Sequence, residues 1–343
     1  MRPLRLTIVA VLTTCLALAG CSNGAGSDNG DAASTPGGAA GDAFPFTITS
    51  ALGTAEIKAA PQRVVTLGWG STDAAIALGV YPVAIEKQAY GANADGVLPW
   101  VADALEKAGQ PTPTLLPSAN TAAPAYEQII AAKPDLILAP YSGIDKDQYA
   151  KLSKIAPTVG YPDKPWATKW EDIIKITAKA LGRTQAGDDV FARINTFYDE
   201  QKSAHPELVG KTFASVWDNP TQNGIFVYTD ADARVQVLTA LGLEVAPAVK
   251  SLYSGNTSFY YTLSYEKLDQ LDADALVLFA DEQKQASDFL ARPQAKGMQS
   301  VADGRVASVV GQEYVAAVSP PTALSFDYGM PKVIDALSEA VKK

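Results

Sequence analysis

Tyr126-Glu127-Gln128-Ile129-Ile130-Ala131-Ala132-Lys133-Pro134-Asp135-Leu136-Ile137-Leu138 lines up without a gap on Tyr265-Glu266-Lys267-Leu268-Asp269-Gln270-Leu271-Asp272-Ala273-Asp274-Ala275-Leu276-Val277. The offset is constant, 139 positions from Tyr126 to Tyr265 and from Asp135 to Asp274. Each copy reads as a short helix, a break at an aspartate, and an apolar run suited to a buried strand. A unit that occurs twice at domain-scale separation implies two similar lobes. A solenoid would need shorter periods and more copies. The repeat also sets one glutamate, Glu127 or Glu266, at the same place on each lobe.

Working outward, the same alternation of strand and helix recurs on both sides. Phe44 to Lys58 reads as a small hairpin turning at Leu52-Gly53. Arg63 to Leu67 and Pro82 to Glu86 read as strands, with Ser71 to Leu78 helical between them and Gly79 as its stop. Leu136 to Ala139 and the region of Val159 add two more strands, and a helix runs from about Thr168 to Leu181, closed by Gly182. In the second half, strands are expected at Thr212 to Trp217, Ile225 to Tyr228, Ala275 to Ala280 and Arg305 to Val310. Helices are expected at Asp232 to Leu241 and Pro331 to Val341. Strands separated by helices at this spacing predict parallel βαβ units in both lobes. Between the halves, Ala186 to Ala204 is the one long uninterrupted helix, with Val190, Ile194, Phe197 and Tyr198 on one face, Thr184 as its cap and Gly187 weakening its first turn. A rod of that length, about 30 Å, would act as a stiff strut.

The chain has 28 basic and 37 acidic residues, a net charge of −9. Residues 1–20 hold two arginines and no acid, so the remainder stands at 26 basic against 37 acidic, or −11. Such acidity argues against nucleic acid as a partner. The first 20 residues read as a targeting segment, with Arg2 and Arg5 ahead of an apolar run from Leu6 to Ala17. Leu18-Ala19-Gly20-Cys21 fits the lipoprotein form of a signal-peptidase site, so Cys21 is expected as the lipidated first residue of the mature protein. Residues 21–43, rich in Gly, Ala, Ser, Asn and Asp, read as a flexible tether. The expected plan is therefore leader 1–20, tether 21–43, N-terminal lobe 44–183, inter-lobe helix 184–208 and C-terminal lobe 209–343. The only cysteines are Cys15 and Cys21, so neither disulfides nor cysteine chemistry belong to the folded part.

Several of these pieces, in this order, resemble a known family. Arg63-Val64-Val65, the Leu78-Gly79-Val80…Pro82-Val83 step, Glu127…Lys133-Pro134-Asp135-Leu136-Ile137, Trp170 before Leu181-Gly182, the long helix and Ala302-Asp303-Gly304-Arg305-Val306 look like the binding proteins of ABC importers for ferric siderophores and cobalamin. The likeness runs from about Phe44 to the C-terminus. It implies an α/β fold of two Rossmann-like lobes joined by a single long α-helix, the class III substrate-binding-protein fold, with ligand held in the cleft between them. It implies a lipid-anchored protein on the outer face of the cytoplasmic membrane, a monomer that delivers an iron chelate to a permease and its ATPase. It also implies that Glu127 and Glu266 dock onto arginines of that permease. Charge pairs of this kind set orientation and encounter rate more than affinity.

Ligands of open α/β sheets sit beyond the carboxyl ends of the strands. Those loops supply Trp69, Tyr90, Tyr141, Trp217, Arg234 and Tyr314, and the aromatic stretch Tyr253 to Tyr261 supplies Tyr260. Trp69, flanked by glycines, is the strongest of these candidates, while Trp100, Trp166 and Trp170 are assigned to packing. The cleft so drawn is aromatic with few charges, Lys87, Arg234 and Arg292, which suits a bulky chelate. His205, the only histidine, lies at the end of the long helix, where a cation completes the helix dipole. No cluster of histidines or carboxylates is spaced to hold a bare metal, and no cofactor is expected. Iron should arrive already wrapped, as a ferric siderophore of neutral or weak charge such as a hydroxamate. Haem, through a tyrosine, and cobalamin are the alternatives of the same type. An enzyme is the alternative of a different class. The chain has no Gly-x-Ser-x-Gly elbow, phosphate loop or metal-ligand spacing, which leaves paired carboxylates of a glycosidase, a reading that a cleft lined by Asp and Glu would favour. A non-transport interaction protein of the envelope is a third.

Overall fold

The computed structural model describes residues 42–118, 123–253, 255 and 259–343. The leader, Cys21 and the tether up to residue 41 lie outside the described residues, as does part of the stretch from Tyr253 to Tyr261.

Thirteen strands form three sheets among the described residues. A hairpin of β1 (Phe46–Thr49) and β2 (Thr54–Ile57) stands at the start. A five-stranded parallel sheet follows, built from β3 (Val64–Thr66), β4 (Ala84–Glu86), β5 (Thr114–Leu116), β6 (Leu136–Leu138) and β7 (Thr158–Val159) in the order β5-β4-β3-β6-β7. The third sheet is mixed. Its order is β11-β9-β8-β12-β13, from β8 (Thr212–Asn219), β9 (Gly224–Tyr228), β11 (Tyr260–Ser264), β12 (Ala275–Ala280) and β13 (Val306–Val310). Beside the start of β8 lies β10 (Glu244–Val245). The outcome is the two-lobed α/β architecture expected of the repeat. One element of the parallel plan is corrected: β9 runs antiparallel to β8 and to β11. The connection from β8 to β9 is a short turn at residues 220–223, too short for the helix that a parallel crossover requires.

The repeated stretch has the same place in both lobes. The helix Tyr126–Ala132 joins β5 to β6, and the 3₁₀ helix Tyr265–Gln270 joins β11 to β12. The two aspartates that break the copies have one job. Asp135 accepts the backbone N–H groups of Gln62 (2.7 Å) and Arg63 (2.9 Å), pinning the entry to β3, the neighbour of β6. Asp274 accepts the N–H and hydroxyl of Thr212 (2.8 and 2.9 Å), pinning the entry to β8, the neighbour of β12.

The long helix spans Thr184–Ala204. It starts two residues before the expected position, and Thr184 is inside it rather than capping it. Arg183 holds the cap position, and the Thr184 hydroxyl donates to Asp42 (2.5 Å). Its apolar face buries Val190, Ile194 and Tyr198 in one cluster with Trp170 and Ile174, which precede it in the chain, and Phe213, Val237 and Phe326, which follow it. The last helix, Phe326–Val341, begins five residues earlier than expected and carries Pro331 inside. Burial of Phe326, Gly329 and Met330 outweighs the proline's preference for a first turn.

Candidate functional site

Two adjoining cavities lie where the halves of the chain meet. The larger, about 480 Å³, is lined on one side by Tyr141 and the segment Trp166, Ala167, Thr168, Lys169, Trp170 and Glu171, and on the other by Ala231, Asp232, Ala233, Arg234, Gln236, Phe259, Ser319 and Pro320. The smaller, about 290 Å³, is lined by Tyr90, Trp217, Phe226, Tyr228, Arg234, Asp281, Val315 and Ser319. They share Arg234 and Ser319, so together they form one cleft. A still larger groove of about 640 Å³ beside the helix Tyr126–Ala132 has its walls in the N-terminal half alone. The cleft combines aromatic area with polar groups from both halves, and is therefore the ligand-site candidate.

The C-terminal wall owes its shape to strand periodicity. Side chains two apart on a strand share a face, so Phe226 and Tyr228 stand together on β9. The register sets Trp217 opposite Phe226 and Phe279 opposite Trp217. Ile225 and Val227, on the other face, are buried in the core behind. The guanidinium of Arg234 lies on the Tyr228 ring, 3.5 Å from its centroid. Asp232 caps the helix Ala233–Ala240 by accepting the Arg234 N–H, and its two oxygens also take the Arg234 side chain, Nε at 2.8 Å and Nη2 at 2.7 Å. Burial of Arg234 works against its charge, but the paired Asp232 carboxylate outweighs it and raises its pKa.

The N-terminal wall is set by backbone packing. Gly68 has φ +75°, and a Cβ there would meet the Tyr141 carbonyl oxygen at 2.1 Å. Only glycine permits this approach, which lets Trp69 N–H donate to that carbonyl (3.1 Å). Trp166 lies against Gly143, where a Cβ would meet its indole nitrogen at 2.5 Å, and makes an edge contact with the Tyr141 ring. The Thr168 hydroxyl donates to the Pro140 carbonyl (2.5 Å). Burial pushes the Tyr141 phenol above its usual range.

The halves also touch directly. The Tyr90 hydroxyl donates to Asp281 Oδ1 (2.5 Å); burial first, and then this carboxylate, hold the phenol protonated well above its usual range. The segment after β13 crosses over to the N-terminal half. Trp69 Nε1 donates to the Pro320 carbonyl (3.1 Å), and Asp73, 1% exposed, accepts from Thr322 and Trp100 (each 2.5 Å). Burial raises the Asp73 pKa, and those two donors offset part of the rise.

Of the aromatic and basic candidates read from the sequence, Tyr90, Tyr141, Trp217 and Arg234 line the cleft. Three do not line it. Trp69 packs edge-on against Trp100 in the core. Tyr260 on β11, opposite Tyr228, packs its ring on Phe226, with centroids 4.7 Å apart. Tyr314 stacks on Tyr328 beneath Lys332. Lys87 and Arg292 are also absent from the walls, Arg292 lying over the Tyr265 ring beside Asp218. Conversely, Trp166 and Trp170, assigned to packing, line the cleft. Asp232, Tyr228, Phe226 and Asp281 were missed. The alternation Phe226-Val227-Tyr228 was a usable signal for a strand with one open face; nothing in the sequence joined Asp281 to Tyr90. Among the described residues no three His, Cys, Asp or Glu side chains converge on a metal position. Glu127 and Glu266 are both exposed, each in the first turn of its helix.

A family profile described as periplasmic binding protein matches residues 64–311. The chain is similar to the solved structure of PiaA from Streptococcus pneumoniae TIGR4 in complex with ferrichrome, with 33% identity and a TM-score of 0.73 over 86% of this chain and 98% of that one. It is 25% identical to the probable siderophore-binding lipoprotein YfiY of Bacillus subtilis, over 87% of this chain and 88% of the relative. It is 28% identical to the ferric enterobactin-binding periplasmic protein FepB of Escherichia coli, over 73% of this chain and 79% of the relative.

Proposed function

Because the chain belongs to the periplasmic binding protein family, we propose that it captures a ferric siderophore in the cleft between its lobes and delivers it to an ABC importer. The observation that carries this reading is the cleft itself. Aromatic side chains from both halves (Tyr90, Tyr141, Trp166, Trp170, Trp217, Phe226, Tyr228 and Phe259) surround one buried guanidinium, Arg234. Rigid aromatic area holds a bulky chelate at low entropic cost, and the paired Arg234 and Asp232 set a fixed polar point among the rings. The similarity to a ferrichrome-bound protein supports the same ligand class.

The lipid anchor at Cys21, tethering the protein at the outer face of the cytoplasmic membrane, belongs to this reading, supported by the leader sequence and by the lipoprotein name of the Bacillus relative. So does docking of Glu127 and Glu266 on a permease, supported by their exposure and their equivalent places in the two lobes. The lobe boundaries 44–183, 184–208 and 209–343 are part of it too, supported by the position of the helix Thr184–Ala204 between the two large sheets. The glycosidase alternative finds less support, since Asp232 is held by Arg234 and Asp281 by Tyr90.

Trp166, Trp170 and Trp217 line the cleft and report on its occupancy. Tryptophan fluorescence of the protein lacking residues 1–21 should be quenched saturably by at least one ferric siderophore in a panel that also contains haem and cobalamin. Quenching by none of the siderophores overturns the reading; quenching by haem or cobalamin alone reassigns the ligand.

A further inference from the structure

Among the ionisable groups of the cleft, the acidic and basic side chains do not balance. Glu171, Asp232 and Asp281 are the acids of the walls; Lys169 and Arg234 are the bases. The excess is one acid, and Arg234 is already committed. Asp232, 5% exposed, and Arg234, 8% exposed, form a two-pronged ion pair through Nε and Nη2, and the flat face of the guanidinium is covered by the Tyr228 ring. A guanidinium grips an anion most strongly with two parallel donors, and here that edge is taken by the protein's own carboxylate. The remaining wall carboxylates are Glu171 and Asp281, the latter bonded to the Tyr90 hydroxyl, with Lys169 as the one further cation of the walls among the described residues.

Resting on the siderophore reading, we infer that Asp232 is a specificity-determining residue: by occupying the forked edge of Arg234 it makes the cleft select neutral and cationic ferric chelates, the hydroxamate class, and reject anionic ones. With the Arg234 charge offset by Asp232, the wall groups left, Glu171, Asp281 and Lys169, carry a net negative charge that repels an anionic chelate and not a neutral one.

The probes are ferrichrome, whose iron cage is neutral, ferrioxamine B, which carries a positive charge, and ferric enterobactin, whose cage is strongly anionic. All three are titrated by tryptophan fluorescence against the wild-type protein and against Asp232→Asn, with circular dichroism confirming the fold. The wild type is expected to bind one or both hydroxamates at least about 100-fold more tightly than ferric enterobactin, a difference of about 2.7 kcal/mol. Asp232→Asn should narrow that gap by about tenfold or more, chiefly through tighter binding of the catecholate. Asp232→Ser removes the carboxylate but keeps an oxygen to cap the helix Ala233–Ala240, and should narrow the gap in the same direction, so the test stands even if Asp232→Asn does not fold. Ferric enterobactin bound as tightly as the hydroxamates by the wild type overturns the inference while leaving the siderophore reading in place. An unchanged gap in folded Asp232→Asn removes the role of Asp232. No binding of any of the three overturns the inference and counts against the reading itself.

Discussion

Asp135 and Asp274 show how a single residue type, repeated, builds two lobes in the same way. Each carboxylate sits just before a buried strand and accepts hydrogen bonds from the first residues of the neighbouring strand, fixing the register of β6 on β3 and of β12 on β8. The Thr212 N–H first, then its hydroxyl and nearby Lys211 and Arg305, outweigh burial and hold the Asp274 pKa below the usual aspartate range. The linkage follows from that direction. A carboxyl whose folded pKa is depressed stabilises the native state above its unfolded pKa of about 3.9 and loses that stabilisation as pH falls through the folded value. Asp274→Asn should therefore cost about 1–3 kcal/mol at neutral pH in urea unfolding. The difference from wild type should shrink below about pH 4. A cost that stays constant down to pH 2 would mean that the charge of Asp274 contributes nothing.

At the scale of elements, the helix Thr184–Ala204 is more than a connector. Its buried side chains Val190, Ile194 and Tyr198 share one hydrophobic cluster with residues from before and after it in the chain, among them Trp170, Ile174, Phe213, Val237 and Phe326. At about 1.5 Å per residue it measures about 32 Å, long enough to brace both halves. Because one cluster spans the junction, the halves should not melt independently. Ile194→Ala should cost about 2–4 kcal/mol and shift a single unfolding transition, followed by tryptophan fluorescence and far-UV circular dichroism together. Two separated transitions, in either protein, would show that the helix merely tethers two independent folding units. The helices and strands with strong local signals were legible in the sequence, including Ala275–Ala280 to the residue. The three-residue β5 and the two-residue β10 were not, because both are partly exposed and lack the wholly buried run that marks the equally short β6. β9 was read as a strand, but its antiparallel direction was missed, because an apolar run does not encode direction; the turn that precedes it does.

At the scale of the whole molecule, the pseudo-repeat places Glu127 and Glu266 in equivalent crossovers of two lobes held together by a common core, and both are exposed. Two exposed charges at fixed separation orient a partner without adding much affinity. Neither residue lines the cleft. The double variant Glu127→Ala with Glu266→Ala should therefore keep siderophore affinity within about threefold and lose cellular uptake of the chelate, while either single change should reduce uptake partially. Wild-type uptake by the double variant would remove the docking proposal and leave the binding function untouched.

The duplication, the α/β class, the long helix and the membership of a two-lobed binding family follow from local signals: repeated side chains at a constant offset, helical spacing of apolar residues, and glycines at helix ends. The composition of the cleft does not. Trp69 lies between two glycines and Trp166 between a proline and an alanine, yet the first is packed on Trp100 and the second lines the cavity. Which aromatic faces the ligand depends on which surface the other half of the chain covers, and that cover comes from residues about 150 to 250 positions away, such as Pro320 over Trp69 and Asp281 beside Tyr90. The same holds for Arg234, whose charge is evident in the sequence. That Asp232, two residues before it, turns back to take both prongs of its guanidinium was decided only when the burial of both made an unpaired charge too costly.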